Sequence, residues 1–558
     1  MEQQRPFLYL SLFFLGFLIW STWQQKNAPP PPVTTTTTSS FAENPVSVPT
    51  SVPSAAIPTG DNTAAVPQAN SINENIAKLV HVKTDVLEIY INTVGGTIVQ
   101  ADLPAFPISL EEPDVGVRII NKEKDYAAQS GLVHSALAGQ NTSDFAPNHY
   151  STFNATQQEY VLKDGQNTIE VPLTWSKNGI MVTKTFTFER GNYLIKQSQK
   201  IDNNSGNNWS ASEYLQLSHA EHTRNGSLLA GDVAYTGAAY YNEKYIKVSF
   251  DDISDENLSD KVTGGWAAII QHYFVGAWIP EAEAENNYYT IFDESRTRHI
   301  IGVKSPLKAI ANGQSDTFNS QFYIGPTDQD SLAEISKGLD LAVDYGIFAF
   351  VSKPIFAVMS FINRNIVSNW GWTIILLTMF IKILFFYPSA MSYKSMAKMK
   401  KLGPKIKEIA EKHKNDPQAK QKETMNFYRK EKINPLGGCL PMLIQMPVFM
   451  GLYWVLQESV ELRQAPWVLW YKDLSLKDPF FILPLIMGAS MFIQQKLNPP
   501  AVADPMQQKI FTYLPVVFTV MFLFFPAGLV LYWVVNNILS IFQQWFINKK
   551  IIGDTKIA

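Results

Sequence analysis

Residues 370–387, WGWTIILLTMFIKILFFY, have the length and apolarity of a membrane span but carry one cation, Lys382. On insertion scales a lysine at the bilayer centre costs about 2.5–3.5 kcal/mol, so its presence calls for a compensating gain. Two readings fit the spacing. Lys382 stands five residues before Tyr387, roughly 7–8 Å from that end of a helix, and its long stem can snorkel to the interface. Alternatively it faces a polar cavity, and the charge then belongs to the inner leaflet. C-terminal to this stretch the chain reads as further spans with their loops; N-terminal to it, as an anchor and a large exported domain.

The flanks set the topology. Residues 388–434 hold thirteen lysines and arginines against five acids, and the positive-inside rule places so short and basic a loop in the cytoplasm. Its halves, 396–412 and 417–432, have helical composition and are split at Pro417, which predicts a helical hairpin. Lys398, Lys400, Lys401 and Lys405 are its candidate contacts, with lipid headgroups on the plain reading and an acidic or RNA-rich partner on the sharper one. Four apolar runs follow, predicted as spans at about 438–457, 479–496, 510–526 and 528–547. The loop at 458–478 carries three basic residues and four acids and belongs outside. The apolar cores at 480–493 and 511–525 cover roughly 21–23 Å of a ~30 Å hydrocarbon layer, so they thin the bilayer or extend through less apolar turns.

Residues 6–20 are almost wholly apolar and follow Arg5. No small-x-small cleavage site comes soon after, and Trp20 and Trp23 suit an interface belt, which favours an uncleaved anchor (1–26) over a signal peptide. With it the chain has six spans, a short tail at 549–558 and both termini in the cytoplasm. Residues 27–75, rich in Pro, Thr and Ser, cannot bury enough apolar surface to fold and read as a disordered linker. Residues 347–362 are apolar but interrupted by Lys353-Pro354, so the segment 331–365 reads as a helical pattern followed by a helix in the outer interface rather than a seventh span.

Between 76 and 330 short β-branched and aromatic runs alternate with turn residues. LEIYIN (87–92) and TFTF (185–188) have period two, the pattern of a large antiparallel β-sandwich. The chain has a single cysteine, Cys439, so no internal disulfide can brace that domain. Little chemistry is visible in it. His219-Ala-Glu221-His222 lacks the spacing of a zinc helix, and Asp251, Asp252, Asp255 and Glu256 lack the pattern of a calcium loop. No catalytic residue, metal or cofactor is expected, and the domain's ligand is not legible.

Over Asn434–Phe449 (NPLGGCLPMLIQMPVF) the sequence stops being generic. With SVELRQAPW (459–467), DPMQQKI (504–510), FPAGLVLYW (525–533) and SMAKMKKLGPKI (395–406), it resembles the bacterial branch of the YidC/Oxa/Alb family of membrane-protein insertases, in the Gram-negative form. The resemblance covers nearly the whole chain. It implies a multi-domain, polytopic α-helical protein of the inner membrane, five of whose six spans (366–548) form the insertase core, plus a large periplasmic β-supersandwich. It further implies a non-enzymatic insertase and chaperone acting alone or with the Sec translocon and ribosome, whose partners are nascent membrane proteins and lipids. A hydrophilic groove open to cytoplasm and lipid receives a client's polar flank, which then slides into lipid between the third and fifth spans.

On that resemblance Lys382 occupies the place of the family's groove arginine. Lysine keeps the charge but lacks the five-donor fork, which leaves an electrostatic lure rather than a bidentate grip. Thr378 lies one turn away on the same face, Tyr532 and Trp533 fall at the family's aromatic pair, and Met446 and Pro447 where the third span touches substrate. Gln445, Asn536 and Asn537 are the other costly polar groups within apolar runs. They line a shared water-filled cavity or bond between helices. A transporter or channel predicts repeated halves and intramembrane carboxylates, which the spans lack. A membrane-anchored carbohydrate-binding protein predicts paired carboxylates in the β domain, which sequence does not place.

Overall fold

The structure is a computed structural model and describes residues 78–121, 125–134, 145–220, 235–413, 416–431, 440–497 and 505–551. The expected anchor and linker lie outside these residues, as do Glu221, His222 and Cys439. Strand Ile180–Glu189 (IMVTKTFTFE) buries every second side chain, and its neighbour Leu194–Asn203 does likewise, because successive side chains of a strand point to opposite faces. Both belong to a nine-stranded sheet that runs from Lys244–Val248 through Ser315–Pro326 to Asn154–Ala155. An 11-stranded sheet runs from Ser259–Thr263 through Trp209–Ala220 to Glu159–Val161. Pairing is antiparallel apart from the match of 81–83 with 159–161. The sheets close on one apolar core that includes Val171, Phe186, Leu215, Trp278 and Phe322. This is the sandwich that the alternation predicts.

A short helix, α1 (Phe250–Asp255), is held by a capping box from Ser249. Helix α2 (Gln329–Ile335), capped by Asp328, buries Leu332 beside Trp266, Val275 and Tyr323. The chain then turns into helices: α3 (Ala349–Asn365), α4 (Trp370–Leu384), α5 (Phe386–Lys401), α6 (Gly403–Lys412), α7 (Pro417–Lys430), α8 (Leu440–Glu458), α9 (Ile482–Leu497), α10 (Pro505–Phe522) and α11 (Ala527–Ile551). Met359, Leu377, Leu452, Met487, Phe522 and Val530 join α3, α4, α8, α9, α10 and α11 in a second apolar core. The loop after α8 is tied to the β domain, since Arg463 Nη2 and Gln464 Nε2 donate to the Pro107 carbonyl at 2.7 and 3.1 Å. Helices α6 and α7 form a hairpin in which Ile406 packs on Tyr428 and Glu423 pairs with Lys412 and His413.

The stretch 370–387 departs from a single straight span. Helix α4 ends at Leu384, and α5 leaves it at 68°. Pro388 accounts for the break: it has no N–H for the Leu384 carbonyl, and its ring crowds that carbonyl. Among the described residues, Gly346–Asn365 is long and apolar enough to cross a membrane by length and composition, and the bent pair is a second such segment if counted as one. The apolar helices Ile482–Leu497 and Thr512–Phe522 are shorter.

One feature of the sandwich runs against residue polarity. Lys184 follows the inward alternation of Val182 and Phe186, and it is fully buried. Its Nζ donates to Gly95 O (2.7 Å), Ser130 O (2.9 Å) and Ser130 Oγ (3.0 Å) and lies over the Phe153 ring. Ser130 in turn donates to Gln197 at 2.7 Å. Gln197 and Gln199 donate to buried Glu213 at 3.4 and 2.7 Å. Burial holds the Lys184 ammonium down to about 7 and pushes the Glu213 carboxyl up to about 7 from its ordinary 4.5. Glu213 therefore keeps its proton in the folded chain over a window in which the unfolded chain has lost it. Its contribution is favourable below 4.5 and is lost as the pH rises towards 7; at about 1.4 kcal/mol per pH unit this comes to roughly 3 kcal/mol. Glu213→Gln should accordingly unfold at a higher temperature than the parent at pH 8 and match it near pH 4.5. Thermal melts of the full-length protein, followed by β-sheet circular dichroism at the two pH values, measure this.

Candidate substrate groove

Helix α4 starts at Asn369, whose side chain accepts from Trp372 N (3.2 Å) and donates to the Pro466 carbonyl (3.1 Å). The start of the helix is thus fixed to the loop after α8. Gly371 sits there because a Cβ would come within 2.2 Å of the Trp467 ring. The face of α4 that carries Ile374, Leu377, Thr378 and Ile381 is buried, and Lys382 is half-buried one turn below Thr378. Thr378 spends its hydroxyl on the Ile374 carbonyl at 2.7 Å.

Helix α11 supplies the facing surface. Ile374 lies against Gly528, and Lys382 Nζ donates to Ser540 Oγ at 2.7 Å, so the two helices run in the same direction. Tyr532, Asn536 and Ser540 recur every four residues and share one face of α11; all three are buried. Gln543 continues the stripe and donates to the Phe386 carbonyl at 3.3 Å. Buried Tyr532 OH, Asn536 Oδ1 and Gln543 Oε1 have no hydrogen-bond partner among the described residues, and a buried polar atom left unpaired costs about 1–3 kcal/mol. Such atoms call for water or a polar guest.

The other predicted residues are distributed around this seam. Asn537, adjacent to Asn536 in sequence, points to a different helix and donates to Ser490 Oγ on α9 at 3.0 Å. That bond joins α11 to α9. Trp533 diverges from Tyr532 and meets the rings of Phe449 (4.8 Å, 87°) and Phe522 (5.3 Å) in an aromatic cluster of α8, α10 and α11. On α8, Met446 and Pro447 are exposed, and the Nε2 of partly buried Gln445 has no partner among the described residues. Lys398 and Lys405 are exposed on α5 and α6, whereas the side chains of Lys400 and Lys401 lie outside the described set. Ser540 was missed by the sequence reading; its signal was the four-residue step from Asn536. No group of three or more metal-binding side chains occurs among the described residues. In the β domain a half-open cleft of about 1010 Å³ is lined by Lys196, Tyr241, Lys261, Glu281, Asn319 and Lys337, among others.

Comparison with known proteins bears on the whole chain. Residues 361–554 match the family described as 60Kd inner membrane protein, and residues 79–358 match the YidC periplasmic domain. The chain is 45% identical over 557 residues to the membrane protein insertase YidC of Thioalkalivibrio sulfidiphilus, covering 99% of each. It is 46% identical over 505 residues to that of Methylococcus capsulatus, covering 90% of this chain and 91% of the relative. A crystal structure of an active YidC insertase with its first transmembrane domain resolved aligns at 15% identity and a TM-score of 0.35, over 83% of this chain and 92% of that one. The chain belongs to the YidC family of membrane protein insertases.

Proposed function

We propose that this chain inserts integral proteins into the bacterial inner membrane through a hydrophilic groove between α4 and α11, open to the cytoplasm and to lipid. The observation that carries the reading is the Lys382 ammonium at the α4–α11 seam, bonded to Ser540 at 2.7 Å on the face of α11 that also carries Asn536 and Tyr532, whose Oδ1 and OH have no partner among the described residues. A cation with spare donors draws the acidic or polar flank of a client span inward. Thr378, Asn536 and Gln445 offer that flank polar partners while it is out of water. Partitioning of the client's apolar segment into lipid, worth about 25 cal/mol per Å² of apolar surface, then drives the span out past Met446, Pro447 and the aromatic cluster of Trp533. This is assistance by lowered desolvation cost, and no bond is made or broken.

Six spans with both termini in the cytoplasm accord with the charge bias of the loops. In this topology α3, broken in polarity by Lys353 and Arg364, lies in the outer interface, the β domain is periplasmic, and residues 27–75 tether it to the anchor. The basic surface of the α6–α7 hairpin, with exposed Lys405, suits headgroups and a ribosome, and the insertase works alone or beside the Sec translocon. The β domain has a core of its own, separate from that of the helices, which supports a division of labour.

Lys382→Ala should lower insertion of clients with acidic translocated tails by about tenfold, the order expected for one lost charge-assisted contact, while Lys382→Arg retains it. Protease protection of tails in membranes carrying each variant measures this, and equal insertion by the alanine variant overturns the role of the lysine. Removal of most of residues 76–329 should leave insertion of simple clients largely intact in the same assay. Abolished insertion, with the helical core still present in the membrane, refutes the division between machine and exported domain.

A further inference from the structure

We infer that Ser540 is a positioning residue that aims the Lys382 ammonium into the groove and gives this lysine-bearing chain its selectivity for acidic client tails; the inference rests on the groove reading above. Lysine is a flexible point charge with three rotatable donors. An unheld ammonium in this position has two escapes, snorkelling along its stem to the cytoplasmic interface or turning outward beside exposed Ile383 and Leu384. A single acceptor at the right height on the facing helix removes both. Ser540 Oγ meets that need at 2.7 Å.

The serine is itself oriented. Its hydroxyl donates to the Asn536 carbonyl at 2.7 Å, one turn back along α11, so its lone pairs remain for incoming donors. Lys382 takes one of them. The node therefore ties α4 to α11 near the bend where the apolar span ends. Two of the three ammonium hydrogens have no acceptor among the described residues. They are the hydrogens left for a client carboxylate. In this arrangement the serine selects the direction of the charge, and the client supplies the remaining acceptors.

The test compares Ser540→Ala and Ser540→Thr in the full-length protein, using one client with an acidic translocated tail and a matched client whose tail acids are replaced by Asn and Gln. Threonine keeps a hydroxyl that can bond to the carbonyl four residues back. The expected result is a loss on the order of tenfold for the acidic client with Ser540→Ala, unchanged insertion of the neutral client, and recovery of the acidic client with Ser540→Thr. In a Lys382→Ala background, Ser540→Ala should have no further effect, because two residues that act through one contact are not additive. Equal loss for both clients assigns Ser540 a merely structural role and overturns the proposal, as does no loss for either. A full Lys382→Ala defect with an unaffected Ser540→Ala variant overturns the positioning role alone and leaves the groove reading standing. If Lys382→Ala has no defect, both fall together.

Discussion

The helical core holds one ammonium group in an apolar place. A lysine within a span costs about 2.5–3.5 kcal/mol, and one hydrogen bond involving a charged partner returns about 1.5–3 kcal/mol. The bond from Lys382 to Ser540 is thus of the size needed to keep the cation between α4 and α11, yet it uses only one of three donors. Everything near it is arranged on the same principle. The α11 stripe of Tyr532, Asn536 and Gln543 is buried and incompletely paired, while the surrounding Ile374, Leu377, Met487 and Val530 pack tightly. Apolar packing carries the fold, and the unsatisfied polar seam is retained at its expense.

The β domain shows what a buried lysine looks like when it is structural. Lys184 has three acceptors for its three hydrogens and a ring beside them. Ser130 and Gln197 connect it with Glu213 across the two sheets. The Lys184 ammonium has an acceptor for every hydrogen, whereas the Lys382 ammonium has one acceptor among the described residues. The same side chain therefore serves two ends, and the difference lies in how many of its donors the protein itself fills. The separate polar node at Arg463 and Gln464, which bonds to the Pro107 carbonyl, fixes the loop after α8 to the exported domain without joining the two apolar cores.

Much of this was legible from local sequence pattern. Period-two alternation in IMVTKTFTFE yields a strand with one buried face, and the alternation itself places Lys184 inside, although its polarity argues against burial. The cation at 382 stands out because charge is rare in apolar runs, and Thr378 follows as the polar residue one turn away on the same face. Ser540 does not stand out, since a serine in a helix is cheap and ordinary. Its role exists only through a lysine 158 residues away. Asn536 and Asn537 read alike in sequence, and the roughly 100° turn per residue of the helix sends one to the α4 seam and the other to Ser490 of α9. The 68° bend after Leu384 was signalled by Pro388, four residues on, but the apolar run FFY masked it as the tail of a straight span. Register across helices, and not composition, decides these outcomes.

The central claim is that the Thr378–Lys382 face of α4 receives the polar flank of a client. The most direct measurement places a photo-crosslinking side chain at Thr378, and in a second variant at exposed Ile383, and arrests a client with an acidic tail during insertion. The account predicts adducts between position 378 and tail residues flanking the client's span, reduced when the tail acids are neutralised, with position 383 capturing lipid or the apolar segment. Tail adducts formed equally from position 383, or absent from position 378 while insertion proceeds, contradict it.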